Sequence, residues 1–292
     1  MAPNAPPRDT FDALVDCAGL QRLLPTARVF DCSHDLADPD AGARAWRAAH
    51  LPGAQHLHLD HDLSSPPLGG NGRHPLPDRA RLAARLAQAG LHAGQQVVAY
   101  DRSQGVFAAR LWWLLRWLGH ERVAVLDGGW QAWLEFGGAE TAGVEAPAQA
   151  GDFVAAAPLV EAVDVAAVLD NVRSRARLLV DARSPQRYAG EGETLDPVGG
   201  HIPGARCRFY RDNLAADGRF KPAEALRAEW RAVLGARSPA LVIHQCGSGV
   251  SACHNVLAMH HAGMSGAALY SGSWSEWCAD PARPQARGDA AG

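Results

Sequence analysis

Four short motifs occur twice in this chain, in the same order and at nearly the same separation. Val29-Phe-Asp31 returns as Leu179-Val-Asp181, and His50-Leu-Pro-Gly-Ala54 as His201-Ile-Pro-Gly-Ala205. Gly105-Val106 returns as Gly249-Val250, and Gly128-Gly-Trp-Gln-Ala-Trp133 as Gly272-Ser-Trp-Ser-Glu-Trp277. The offsets are 150, 151, 144 and 144 residues. Chance supplies one such match readily and four in order poorly. A period this long excludes a solenoid and points to a duplicated domain. The length of 292 residues agrees, since it suits two cores of roughly 100–150 residues each. We expect an N-terminal copy over 1–136, a small-residue and Pro/Gly-rich linker over 137–158, and a C-terminal copy over 159–285.

Each copy alternates strand-like and helix-like patterns. Gln96–Tyr100 and Ala240–His244 are short, nearly uniform apolar runs, as expected of strands buried on both faces. After the first run, Phe107, Leu111, Leu114 and Leu118 recur at helical spacing; after the second, Val250, Cys253, Val256 and Leu257 do. The alternation predicts an α/β fold in which each copy is a parallel sheet with helices on both faces. Ligands of such sheets sit beyond the carboxyl ends of the strands, so the loop after each run is the place to look for chemistry. The His-Leu/Ile-Pro-Gly-Ala motif reads as a turn, with proline presetting φ and glycine accepting a positive one. The paired tryptophans read as core.

Net charge is −3 with both signs interspersed, which argues against a nucleic-acid partner. No apolar run approaches the ~20 residues needed to span a bilayer, and residues 1–9 contain no apolar stretch of the signal-peptide kind. Six cysteines without paired spacing fit a reducing cytoplasm better than a disulfide framework.

The loop Cys246-Gly-Ser-Gly-Val-Ser-Ala252 follows one of the buried runs and leads into a helix. Gly247 and Gly249 let the backbone curl its N–H groups inward, with the positive end of a helix dipole behind them. Such a nest stabilises an anion, and a cysteine there is expected to be substantially thiolate, the nucleophilic form. A free cysteine is commonly just a small buried hydrophobe. The first copy bears on the choice, because Asp101 stands at the matching place, and a packing cysteine is rarely exchanged for aspartate. Two reaction classes use such a thiolate. Cysteine phosphatases need an arginine six positions on, where this chain has Ala252. The alternative is sulfur transfer through a cysteine persulfide.

The active loop, the His-Ile-Pro-Gly-Ala turn and the closing Tyr270-Ser-Gly-Ser-Trp-Ser-Glu-Trp277 together resemble the rhodanese family, over about residues 10–285. More narrowly, they resemble its tandem-domain thiosulfate and 3-mercaptopyruvate sulfurtransferases. The resemblance implies that only the C-terminal copy keeps the reactive cysteine. It also implies that Cys246 takes sulfur from a small-molecule donor as a persulfide. The acceptor is then cyanide, a low-molecular-weight thiol or a thioredoxin-like protein. Backbone N–H groups of Gly247, Ser248, Gly249, Val250 and Ser251 are expected to hold the anionic persulfide, with no metal or organic cofactor.

Thiosulfate-type loops place two cations after the cysteine. Gly247 and Ser248 stand there instead and resemble the mercaptopyruvate type. In that type the serine works with a histidine and an aspartate of the first domain, which match His74 and Asp60. Such a Ser–His–Asp relay suits protonation of a leaving enolate. Arg187 matches the arginine that binds the substrate carboxylate. A second family arginine has no match in Thr194-Leu-Asp-Pro-Val198, so it is either missing or supplied from elsewhere, by Arg206 or Arg208. A thiosulfate-preferring enzyme and a regulatory, sulfur-carrying module are the other readings. The pattern His56-Leu-His58-Leu-Asp60-His61 has metal-hydrolase spacing, yet it sits inside the duplicated domain after a Leu-Pro-Gly-Ala turn and the second copy lacks it. We therefore expect no metal there. Cys253 reads as core, and Cys207 and Cys278 carry no signal.

Overall fold

The computed structural model describes residues 10–146 and 149–289. The reading of residues 1–9 as lacking a signal-type stretch therefore lies outside the described residues, as do positions 147 and 148 of the expected linker.

Two five-stranded parallel sheets repeat one topology. The first contains β1 (Leu14–Val15), β2 (Arg28–Asp31), β3 (Gln55–His56), β4 (Val97–Tyr100) and β5 (Val123–Leu126), in the order β1-β5-β4-β2-β3. The second contains β6 (Ala162–Val163), β7 (Leu178–Asp181), β8 (Ala205–Cys207), β9 (Val242–Gln245) and β10 (Ala268–Tyr270), in the order β6-β10-β9-β7-β8. Each order is the other shifted by five strands, so the duplication inferred from four motifs extends to the whole fold. β4 and β9 are central and lie between two parallel neighbours, which is why their sequences are apolar throughout.

Alternate residues of each central strand enter different cores. Val97 and Ala99 point into one, Val98 and Tyr100 into another. In the second sheet Val242 enters the first of these cores and Ile243 a third. The first core is thus shared by the inner faces of both sheets. It is filled by α4 (Ala108–Trp117) and α9 (Ser251–His261), the helices that follow β4 and β9. Each is buried over eight consecutive residues, Ala108–Leu115 and Ala252–Met259. That explains why neither shows a polar stripe: a helix covered on every side has none. The packing brings the loops that open the two helices to one end of the domain interface.

Local expectations hold with one shift. In both His-Leu/Ile-Pro-Gly-Ala motifs the alanine N–H donates to the carbonyl three residues back at 3.0 Å, closing the turn. The turn glycines Gly53 and Gly204 have φ of 75° and 87°. Trp130, Trp133, Trp274 and Trp277 are all buried. The second apolar run enters its strand two residues later than its composition suggests. Ser238 caps a short 3₁₀ turn over Pro239–Leu241, and proline suits the first position of a helical turn. Among the described residues no helix is long and apolar enough to cross a membrane.

Candidate active site

β9 ends at Gln245 and α9 begins at Ser251, so Cys246 opens a tight connection between a central strand and a buried helix. The loop is anchored from behind. The Cys246 N–H donates to Ser273 Oγ at 3.1 Å, and the Cys246 and Gly247 carbonyls accept from Trp274 and Ser275 N–H at 3.0 and 2.9 Å. The repeated Gly-Ser-Trp motif thus forms the floor of the loop. Gly249 has φ of 77°, and a Cβ there would lie 2.2 Å from the Ser271 carbonyl oxygen, so no other residue fits. Its N–H donates to Cys246 Sγ at 3.1 Å. Gly247 serves differently from Gly249, since its φ is not positive. The missing side chain makes room instead, since a Cβ would sit 3.0 Å from Arg73 Nη2 and 3.4 Å from Arg187 Nη1.

Cys246 lines a cleft of about 640 Å³ together with Gly247, Ser248, Val250 and Ser251. The first domain contributes His34, Arg73, Arg102 and Phe107 to its wall, and the second Arg183, Arg187 and Arg211.

Ser248, His74 and Asp60 meet across the domain interface. Ser248 Oγ lies 2.7 Å from His74 Nδ1, and His74 Nε2 lies 3.2 Å from Asp60 Oδ1. A carboxylate only accepts, so Nε2 carries the ring proton and Nδ1 accepts from the Ser248 hydroxyl. Burial lowers the pKa of His74, outweighing the hydrogen bond to Asp60, and keeps the ring neutral at neutral pH. The hydrogen bond from His74 holds Asp60 below the usual carboxylate range.

Arg187 reaches the cleft already partnered. Its Nε and Nη2 donate to the two Glu193 oxygens at 3.0 and 2.9 Å, and Nη2 also lies 3.3 Å from Asp196 Oδ2. Arg73 crosses from the first domain to pair with the same Asp196. Burial raises the Asp196 pKa, against the pull of Arg73. Glu193 is also pushed up by burial, but the Leu195 N–H and Arg187 bring it net below its ordinary value. Each of the two arginines thereby keeps one amino group, Nη1 of Arg187 and Nη2 of Arg73, turned toward Gly247.

Arg206 and Arg208 do not supply a second arginine. Arg206 donates to the Val233 carbonyl, and Arg208 is spent on Glu229 and Asp212 with its guanidinium over Trp230. Neither lines the cleft. Both leave β8 on the side of the helix Ala223–Leu234, which the strand register imposes. Arg73 was missed although it adjoins His74 in Gly72-Arg-His74, because nothing local marks a contact with residue 196.

The His-x-His-x-Asp-His pattern is split by the fold. His56 Nε2 bonds the Ser33 carbonyl and His61 stacks on His58. Among the described residues, His34, His58 and Asp60 offer atoms within 4.8 Å of one another, close enough to share an ion. The Asp60 N–H occupies His58 Nδ1 at 3.1 Å, and the Asp60 carboxylate serves His74. Cys253 is fully buried, its pKa pushed up to about 12, and its thiol donates to the Gly249 carbonyl. All six cysteines are free thiols.

A parallel α/β domain repeated twice, with one cysteine in a strand-to-helix loop at the shared interface, defines a tandem sulfur-transfer architecture. The rhodanese-like domain model matches residues 16–136 and 164–280. A Pseudomonas aeruginosa protein curated as probable 3-mercaptopyruvate sulfurtransferase is 47% identical over 267 residues, covering 91% of this chain and 94% of that one. Mouse thiosulfate sulfurtransferase is 34% identical, covering 88% of this chain and 86% of that one. Among solved structures, 3-mercaptopyruvate sulfurtransferase from Leishmania major superposes with a TM-score of 0.80 at 30% identity, over 94% of this chain and 75% of that one. The chain belongs to the rhodanese family, and its activity is sulfur transfer.

Proposed function

We propose that this sulfurtransferase takes its sulfur from 3-mercaptopyruvate onto Cys246. The observation that carries the reading is the Ser248–His74–Asp60 chain, assembled from both domains beside the nucleophile at 2.7 and 3.2 Å. The Cys246 thiolate attacks the donor's sulfur. The carbon–sulfur bond breaks and its electron pair leaves as the enolate of pyruvate. The thiol proton passes through Ser248 to neutral His74 and returns by the same path to the enolate carbon, with Asp60 stabilising the transient imidazolium. The products are pyruvate and a Cys246 persulfide anion, which the N–H groups of residues 247–251 receive. Cyanide then takes the outer sulfur as thiocyanate and restores the thiolate. A low-molecular-weight thiol or a thioredoxin-like protein is the corresponding cellular acceptor. The substrate carboxylate is met by Arg187 Nη1 and Arg73 Nη2, one amino group from each guanidinium. Free thiols throughout suit a reducing cytoplasm.

The arginine-lined cleft and the curated thiosulfate sulfurtransferases among the relatives favour a second reading, in which thiosulfate is the better donor. The two are separated by kcat/KM for each donor with cyanide as acceptor, in the wild type and in Ser248→Ala. A mercaptopyruvate enzyme prefers that donor, and Ser248→Ala reduces or reverses the preference. A thiosulfate enzyme prefers thiosulfate, and the substitution leaves the ratio unchanged.

A further inference from the structure

Arg110 is the first domain's most anomalous side chain. It sits in α4 at 0% exposure, inside the apolar run Ala108-Ala-Arg-Leu-Trp-Trp-Leu-Leu115. No carboxylate pairs with it among the described residues. A buried guanidinium without a counter-ion is costly, and a carbonyl satisfies its hydrogen bonds without neutralising its charge. Burial accordingly lowers its pKa.

Its partners give the charge a purpose. Nη1 donates to the Gly249 carbonyl at 3.1 Å, within the Cys246 loop of the other domain. Nη2 donates to the His74 carbonyl at 3.1 Å, with the Leu63 and Pro75 carbonyls at 3.4 and 3.5 Å. One planar group thus ties the loop that carries the thiol to the backbone of the histidine facing Ser248. The 2.7 Å contact between His74 and Ser248 spans two domains, so their spacing depends on what holds those two backbones together. The peptide linking Gly249 and Val250 is planar and trans, so drawing its carbonyl toward Arg110 turns the Val250 N–H the opposite way. The buried Cys253 thiol also interacts with the guanidinium.

We propose that Arg110 is a positioning residue for sulfur transfer: it holds the Cys246 loop and the His74 segment in register. The proposal rests on Cys246 being the sulfur carrier and His74 its relay partner. Lysine keeps the charge but has no fork to bridge two backbones, so it isolates the bridging.

The test uses full-length Arg110→Met and Arg110→Lys. For both variants kcat and KM are measured for each donor with cyanide. Arg110→Met should lower kcat for mercaptopyruvate about 100-fold, a loss of the size of a general acid–base contribution. KM should change little. Arg110→Lys should stay about tenfold down in kcat for mercaptopyruvate, thiosulfate turnover being less affected. Folded Arg110→Met with wild-type kcat overturns the proposal. Should that variant not fold, Arg110→Lys decides alone, and unchanged kcat with mercaptopyruvate overturns the proposal. Activity surviving in Cys246→Ser would instead remove the reading beneath it, so the two failures are distinguishable.

Discussion

The loops after β4 and β9 share a fold position and differ in what occupies their centre. The Asp101 carbonyl accepts the Trp130 N–H at 2.9 Å just as the Cys246 carbonyl accepts that of Trp274 at 3.0 Å, so the two residues are structural equivalents. In the first loop the Asp101 carboxylate turns inward and is fully buried. Its Oδ1 accepts N–H groups of Ser103 and Gly105 at 2.7 and 2.8 Å, and its Oδ2 those of Phe107 and Ala108 at 2.8 and 2.9 Å. That loop is an anion-binding nest filled by its own side chain. From Asp101 to Gly105 it is one residue longer than from Cys246 to Gly249, and Gln104 there stands at φ of 60°, where a glycine is the usual choice. In the second loop the central atom is a sulfur receiving the Gly249 N–H. Burial raises the pKa of the Asp101 carboxylate against the pull of its four N–H donors, and its oxygens never leave the loop, whereas a thiol acquires and releases charge as sulfur is loaded and discharged. The same backbone geometry therefore serves structure in one copy and, on our reading, turnover in the other.

Substitutions can break that contrast at both ends. The largest effect is expected from Cys246→Ser, which keeps the shape of the loop and removes the proposed nucleophile. Sulfur transfer should fall by roughly 10⁴-fold or more with an unchanged melting temperature. Next, Ser248→Ala or His74→Gln should lower kcat/KM for mercaptopyruvate by roughly 10²–10³-fold. Thiosulfate turnover, which releases no enolate, should change less than about tenfold by the same reasoning. Equal losses with both donors would remove the relay. Arg187→Lys preserves the charge that Glu193 and Asp196 require but loses the planar fork. The KM for mercaptopyruvate should rise about tenfold, and that for thiosulfate less. The smallest effect on activity belongs to the other loop. Asp101→Asn replaces an acceptor oxygen by an NH₂ group facing two N–H donors. Chemical denaturation should show a loss of about 2 kcal/mol, while the folded protein retains its turnover. Activity falling in step with Cys246→Ser would mean that the first loop takes part in the chemistry.

Much of this was legible in the chain because it was local or repeated. The turn glycines, the tryptophans of the loop floor and the strand-to-helix setting of Cys246 each follow from a few adjacent residues. The contrast between Asp101 and Cys246 was visible only because the duplication aligns them. Ser248, His74 and Asp60 came from family resemblance, since no rule of spacing joins positions 60, 74 and 248, and the structure brings them together. What could not be read was the arginine arrangement. Arg73 meets Asp196, and Arg110 meets Gly249, across separations set by tertiary packing alone. Arg206 and Arg208 looked suitable by type and were turned away by the register of β8. For Arg110 a signal existed: a charge inside an otherwise apolar helix has to answer to something.

On our reading Cys246 alone carries the sulfur. Incubating the protein with mercaptopyruvate without an acceptor, then digesting it and weighing each cysteine peptide, tests this directly. One additional sulfur atom on the Cys246 peptide, removed by cyanide, is the predicted result. Extra sulfur on another cysteine peptide, such as that of half-buried Cys207, with Cys246 unmodified, would contradict it.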